Sequence, residues 1–298
     1  MPSRKAISVP NSDSAPDPEA VGVSPRNKLN DLTAKEWIQE TVSVWRQKGL
    51  GAGHPDAQIE RLHPAPFSFT DVSRLIRFFT KSGQTVLDPF VGIGSTLKAA
   101  CLEGRRGIGI ELSEEFADLA RDRLNREIGE SLFEQPDQTV ITGDAREALP
   151  ALESDSVDFV VTSPPYWNIL HKADHKVEQE RIAQSLSTRY SEDDNRDLGN
   201  IADYDVFLKE LIGVFAECRR VLKPEKYLAA IVGDFRHKGR FHMFHADLAN
   251  GLEEFGYVLK GMTILYQSHK RLFPYGYPAA YVPNLHHQYI VILRKDGV

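Results

Sequence analysis

Cysteine is scarce: Cys101 and Cys218 are the only two in 298 residues. Their separation makes neither a metal-ligand spacing nor a disulfide framework. Both fall in apolar stretches that read as helix, so they are taken as reduced core residues and no metal is expected. Long apolar runs are missing as well. No stretch reaches the roughly 18 consecutive apolar residues of a membrane span. Arg4 and Lys5 are followed by no apolar segment of the kind a signal peptide carries. These absences predict a cytoplasmic protein with no membrane association. Positive net charge is also lacking, the balance being −6. Whole-chain charge is a weak guide to polyanion binding, however, because local patches decide it. No internal repeat is visible.

What is present is a chain whose 41% hydrophobic content is enough for a packed core. Residues 1–30 are rich in Ser, Pro, Asp and Asn and predict a mobile tail, leaving 31–298 as one domain. Thr33 reads as the N-cap of a helix from Ala34 to Lys48, and Val72, Leu75, Ile76, Phe78 and Phe79 mark a second helix. From Thr85 onward strands and helices alternate. Strands are expected at 85–87, 107–110, 139–142, 157–161, 227–232, 258–266 and 288–293, with helices at 95–103, 114–127, 204–222 and 244–255. That rhythm predicts an α/β domain with a mostly parallel sheet and helices on both faces. Two segments break it: 168–203, long and polar, and 268–285, dense in Pro, Tyr and basic residues.

The run Val86-Leu87-Asp88-Pro89-Phe90-Val91-Gly92-Ile93-Gly94-Ser95-Thr96 is a strand, a glycine-containing turn and a helix start. Glycine lets backbone approach a ligand closely, and the helix start offers free N–H groups. A G-x-G turn alone would suit any nucleotide or phosphate. Glu111 ends the next strand about 20 residues on, where a carboxylate can take both hydroxyls of a ribose. Asp144 ends the third strand and could accept from an adenine amino group. An adenosine would thus meet three successive strand ends, with Leu112 and Ala145 beside the two acids. Asp88-Pro89-Phe90 stands where a dinucleotide binder would have its first glycine, which argues against a dehydrogenase.

The fourth strand ends in Thr162-Ser163-Pro164-Pro165-Tyr166-Trp167. Here the sequence resembles the amino-methylating DNA methyltransferases, whose signature is Ser/Asn/Asp-Pro-Pro-Tyr/Phe. The resemblance runs from about Trp37 to Lys295. Asp88–Thr96 is similar to the cofactor motif of that family, and His63-Pro64-Ala65-Pro66-Phe67 to the segment that precedes it and closes over a methionine moiety. Arg220–Pro224 and the closing His286–Lys295 also sit where the family pattern places them. The resemblance implies a Rossmann-like, seven-stranded, S-adenosylmethionine-dependent methyltransferase fold. It implies binding of S-adenosylmethionine by His63, Pro64, Asp88, Pro89, Phe90, Gly92, Gly94, Ser95, Thr96, Glu111, Leu112, Asp144 and Ala145. Ser163, Pro164, Pro165 and Tyr166 would be catalytic.

An exocyclic base nitrogen is a poor nucleophile because its lone pair is delocalised into the ring. Two acceptors aimed at its hydrogens, Ser163 Oγ and the Pro164 carbonyl, would free that pair. The prolines stiffen the turn, while Tyr166 and Trp167 would stack on a base flipped out of duplex DNA. Serine at the first motif position favours cytosine N4 as the target, whereas Asp or Asn favours adenine N6. Cytosine C5 is disfavoured because neither cysteine follows a proline. Adenine N6, an RNA or protein-amide substrate, and a non-catalytic binding module are the alternatives. Arg236, Lys238 and Arg240 on 233–240 and Lys270 and Arg271 on 268–285 are the expected DNA contacts, with 168–203 as a third candidate reading loop. A cognate restriction endonuclease would be a functional rather than a physical partner, and the chain a monomer or homodimer.

Overall fold

The computed structural model describes residues 22–47, 56, 59, 68–128, 135–167 and 194–297. His63 and Pro64, residues 1–21 of the expected tail and 168–193 of the long connection lie outside the described residues.

The chain runs α1 (Ala34–Glu40), β1 (Val44–Arg46), α2 (Phe69–Phe79), β2 (Thr85–Asp88), α3 (Ser95–Leu102), β3 (Arg106–Glu111) and α4 (Glu114–Glu127). It continues through β4 (Gln138–Thr142), α5 (Ala145–Ala148), β5 (Val157–Thr162), α6 (Tyr204–Val221) and β6 (Leu222–Val232). A hairpin of β7 (Phe235–His237) and β8 (Arg240–His242) follows, then α7 (Phe244–Glu254), β9 (Tyr257–Tyr266) and β10 (His287–Lys295). The main sheet has order β1-β9-β10-β6-β5-β2-β3-β4. Among the described strands of this sheet only β10 runs antiparallel to its neighbours, β9 and β6.

Among the described residues eight strands rather than the expected seven form this sheet, and the extra one corrects the helix predicted to run on from Ala34. Thr33 does cap α1, with a reciprocal bond to Glu36. The helix nevertheless stops at Glu40, and Val44–Arg46 pairs in parallel with Ile264–Tyr266. Trp45 is buried in that strand beneath the guanidinium of Arg74, 3.6 Å from the ring centroid. The β-branched Thr41, Val42 and Val44 lose little by leaving the helix, and the distant strand edge supplies the backbone partners.

Period-two alternation splits the core into two layers. Val86, Phe159, Val161, Ala229 and Ile231 point to the face covered by α2 and α3; Leu87, Val160, Leu228, Ala230 and Val232 point to the face covered by α6 and α7. Helix α2 buries Val72, Leu75, Ile76 and Phe79, worth about 6–12 kcal/mol of apolar transfer before entropy is counted. Phe79 stacks on Phe159 of β5 at 5.0 Å. Every residue of β5 is buried, so its loop leaves from the centre of the molecule. The chain winds β2-β3-β4 to one side and then returns to place β5 on the other side of β2. The carboxyl ends of β2 and β5 therefore flank a topological switch point, where open α/β sheets place their ligands.

Candidate active site

Asp88 closes β2 and is 1% exposed. Its Oδ1 accepts from the Phe90 N–H (3.0 Å) and from Thr162 Oγ1 of β5 (2.6 Å), and its Oδ2 accepts from Thr96 Oγ1. One carboxylate thus fixes the turn, the start of α3 and the strand end across the switch point. Burial pushes its pKa up to about 6 against those three bonds. Two glycines make the turn feasible. Gly92 (φ 53°) turns its N–H to Glu111 Oε2 at 2.9 Å. Gly94 (φ 82°) caps α3 where an added Cβ would lie 3.1 Å from that of Ala120.

Glu111, at the end of β3, accepts from Gly92 N and, through Oε1, from Ser113 N (2.9 Å). Burial raises its pKa to about 7; the two backbone bonds oppose the shift, and the charges of Asp88 and Asp197 add to it. Each oxygen keeps a lone pair for a further donor. Asp144 caps α5 and is clamped by Arg146, whose Nη2 donates to Oδ2 at 2.6 Å and whose Nε reaches both oxygens at 3.0 Å. Arg146 also grips Glu210 of α6 and the Arg196 carbonyl. The residues after 193 are thereby fastened to the same wall.

These strand ends line an open crevice of about 650 Å³, the solvent at its mouth included. Pro89, Phe90, Glu111, Leu112, Asp144, Ala145, Ser163 and Pro165 all line it, together with Ser113, Gly143, Arg196, Asp197, Leu198 and Val214. The predicted sugar and base acids and the predicted catalytic serine therefore share one cleft. Asp88, Gly92, Gly94, Ser95 and Thr96 are not among the lining residues. Ser95 and Thr96 are buried, their hydroxyls engaged by Arg123 (3.0 Å) and Asp88, so this group builds the turn rather than the wall. Pro164 is buried between Ser163 and Pro165.

Tyr166 lies edge-on to Phe244 at 6.2 Å. Its hydroxyl donates to the Ile231 carbonyl (3.2 Å), accepts from Gln288 Nε2 (2.7 Å) and lies 3.1 Å from Ser163 Oγ. Burial raises its pKa to about 12, the bonds to Ser163 and Gln288 opposing. Gln288 in turn accepts from Gln267 Nε2 (3.1 Å), which also donates to Gln47 (2.9 Å); Gln47 donates to Asp71 (2.7 Å). Sequence reasoning missed this relay, along with Thr162 and Arg146.

Trp167 corrects the expectation of a base platform. Its φ of 50° turns the indole inward, where it is 4% exposed. Nε1 donates to the Ile201 carbonyl at 2.7 Å, and the ring packs among His237, Tyr204, Phe235 and His242. The basic residues stand elsewhere: Lys238 and Arg240 are exposed on the β7–β8 hairpin, and Lys270 and Arg271 on the segment before β10. Arg236 joins the two, its Nη1 donating to the Pro283 carbonyl at 3.1 Å.

The model of the N6/N4 DNA methylase family matches residues 5–122 and 157–298. The chain belongs to this family. Among relatives, the type II methyltransferase M.ScaI of Streptomyces caespitosus is 34% identical over 122 residues, 41% of this chain and 40% of its own length. The orphan methyltransferase M.BamHII of Bacillus amyloliquefaciens is 35% identical over 89 residues, 29% of this chain and 32% of its own. The matched stretches thus span two fifths or less of these curated relatives. Among solved structures, a putative DNA modification methylase of Thermus thermophilus, complexed with S-adenosyl-L-methionine, is 30% identical with a TM-score of 0.36 over 52% of each chain. Among the described residues no helix is long and apolar enough to cross a membrane, and no cluster of side chains could hold a metal.

Proposed function

We propose that this chain transfers the methyl group of S-adenosylmethionine to the exocyclic amino group of a DNA base, cytosine N4. Family membership gives the reaction class, and the observation that carries the reading is the single crevice shared by Glu111, Asp144 and Ser163. The donor set fits the cofactor: Glu111 offers a carboxylate with free lone pairs to a ribose diol, and Phe90 and Leu112 offer apolar walls to an adenine. When bound, the cofactor supplies an electrophilic sulfonium methyl. The chain's own residues orient the nucleophile. Ser163 and the backbone of its proline turn accept from the amino hydrogens, which localises the nitrogen lone pair. The proton lost from the methylated nitrogen passes to water. Serine rather than Asp or Asn at position 163 supports cytosine over adenine. Duplex DNA is the physical partner in this reading and a cognate restriction endonuclease a functional one.

The test is to incubate the protein with methyl-tritiated S-adenosylmethionine and plasmid DNA, then digest to nucleosides. Label in N4-methylcytosine is the expected result. Label in N6-methyladenine would replace the finer assignment, and no label in DNA would overturn the reading as a whole.

The Glu111 carboxyl gives a pH signature. A diol that donates two hydrogen bonds selects the ionised carboxylate, so binding weakens as pH falls through about 7. Cofactor affinity should drop about tenfold from pH 8 to pH 6, and Glu111→Gln should bind weakly with a flat profile in calorimetry. The basic hairpin gives a salt signature. Replacing Arg236, Lys238 and Arg240 with Ala should weaken DNA binding and lower its salt slope by roughly two to three; an unchanged slope removes this patch from the DNA contact.

A further inference from the structure

Residues 267–286, between β9 and β10, are unusual for what they leave in water. Leu272 is 69% exposed, Phe273 and Tyr275 49% each, Tyr277 83% and Tyr281 90%. The segment is nonetheless a built arch. Asn284 closes its base, accepting from the Phe273 N–H (2.9 Å) and donating to the Phe273 carbonyl (2.8 Å). The Ala279 and Ala280 N–H groups both donate to the Gly276 carbonyl, at 2.8 and 2.7 Å. Gly276 (φ 76°) sits so tightly that an added Cβ would lie 2.2 Å from the Ala280 carbonyl oxygen. Five exposed apolar or aromatic side chains on a braced arch mark an interaction surface rather than a slack loop.

Charge identifies the occupant. The hairpin region 235–246 and the arch 267–286 together hold Arg236, Lys238, Arg240, Lys270 and Arg271 with no Asp or Glu, in a chain of net charge −6. A second copy meeting this face through a two-fold axis would oppose like charge to like charge. A polyanion that also offers flat apolar faces satisfies both features. Position identifies where on it the arch acts. Gln267, at the arch foot, donates to Gln288, and Gln288 donates to the hydroxyl of Tyr166. The arch therefore rises two hydrogen bonds from the serine–proline turn. Trp167, the expected base platform, is buried and cannot stack on DNA from where it lies.

We propose that Tyr277 and Tyr281 are the stack-opening residues of this enzyme: their rings take bases at the gap left by the departing target base, while the flanking cations hold the backbone. The proposal rests on the DNA-methylating reading above. Aromatic and apolar side chains inserted at opened base steps are a general way to hold distorted duplex DNA.

The test uses the full chain and, once the modified site has been mapped on plasmid DNA, 30-bp duplexes carrying it. One duplex is fully matched and the other has an abasic nucleotide opposite the target, so that the target is already unpaired. In single-turnover methyl transfer, Tyr277→Ala/Tyr281→Ala should lose about tenfold or more on the matched duplex. It should lose less than about threefold on the abasic one, where extrusion is already cheap. Tyr277→Phe/Tyr281→Phe, which keeps the rings, should retain the wild-type rate on both, and thermal unfolding of the three proteins should coincide. Equal losses on the two duplexes, or no loss on either, would overturn the proposal, the latter leaving the arch to an acidic protein partner. Failure of the wild type itself to methylate DNA would instead overturn the functional reading.

Discussion

Asp88→Ala should abolish measurable cofactor binding, weakening it by about 100-fold or more, and should lower stability by about 3 kcal/mol. The carboxylate is buried and accepts three hydrogen bonds, one from backbone and two from hydroxyls. Thr96 and Thr162 can rotate to other acceptors, but the Phe90 N–H cannot, and a buried donor left unmade costs about 1–3 kcal/mol. The missing volume adds to this. Function falls further than stability because the same three bonds hold Phe90 on the crevice wall and keep the ends of β2 and β5 together. Asp88→Asn separates the two effects. The amide keeps the shape and one acceptor, and Thr96 Oγ1 can accept where it formerly donated, so thermal unfolding should show a smaller loss. Its pH dependence follows from the raised pKa. A folded-state value of about 6, above the unfolded carboxyl range, contributes stability at low pH that is lost as pH rises through 6. The deficit of Asp88→Asn should therefore be largest below about pH 4, shrink as pH rises from there through 6, and level off by pH 8. The same substitution removes a charge that raises Glu111. The cofactor-binding midpoint should move to lower pH, and an unmoved midpoint in calorimetry would refute the coupling.

Strand ends were legible in the sequence because chemistry repeats there. Each of Asp88, Glu111, Asp144 and Ser163 follows a short β-branched or apolar run, and parallel winding brings such ends together whatever the loops do. The division of labour among them was not legible. Asp88 looks like a ligand contact by position, yet a Thr on the neighbouring strand and a Thr at the start of the next helix capture both its oxygens. Asp144 looks free by pattern, yet Arg146 two residues later folds back on it. The fate of Trp167 depends on one positive φ, which no neighbouring residue type announces. Strand β1 was hidden because its partner, Ile264–Tyr266, lies far along the chain. The glutamine relay was hidden for the same reason: Gln47, Gln267 and Gln288 come from three segments, and glutamine has no periodicity to betray a buried role. Tertiary pairing overrides local preference in each of these cases.

Ser163→Ala should lower kcat by about 10²–10³-fold with cofactor affinity unchanged, the size expected for one lost preorganised polar contact to a developing charge. Proton bookkeeping around Tyr166 shows why the serine is suited to accept. Tyr166 stays protonated, its pKa raised to about 12, and has one hydrogen to give. If that hydrogen goes to the Ile231 carbonyl, the phenolic oxygen accepts from Gln288 and Ser163, and the Ser163 hydroxyl proton is committed to it. The lone pairs of Ser163 are then left for the amino hydrogens of the base. Tyr166→Phe should remove this discipline without removing the serine, and kcat should fall by about tenfold, with a smaller change in KM. Gln288→Leu takes one further step away and should cost less again. Because the three act as a chain ending at Ser163 Oγ, their effects should not add. In the Ser163→Ala background, Tyr166→Phe should change kcat less than about twofold. Full additivity in the double variant would show that Tyr166 acts on the substrate independently of the serine, and would break the proposed order of hydrogen bonds.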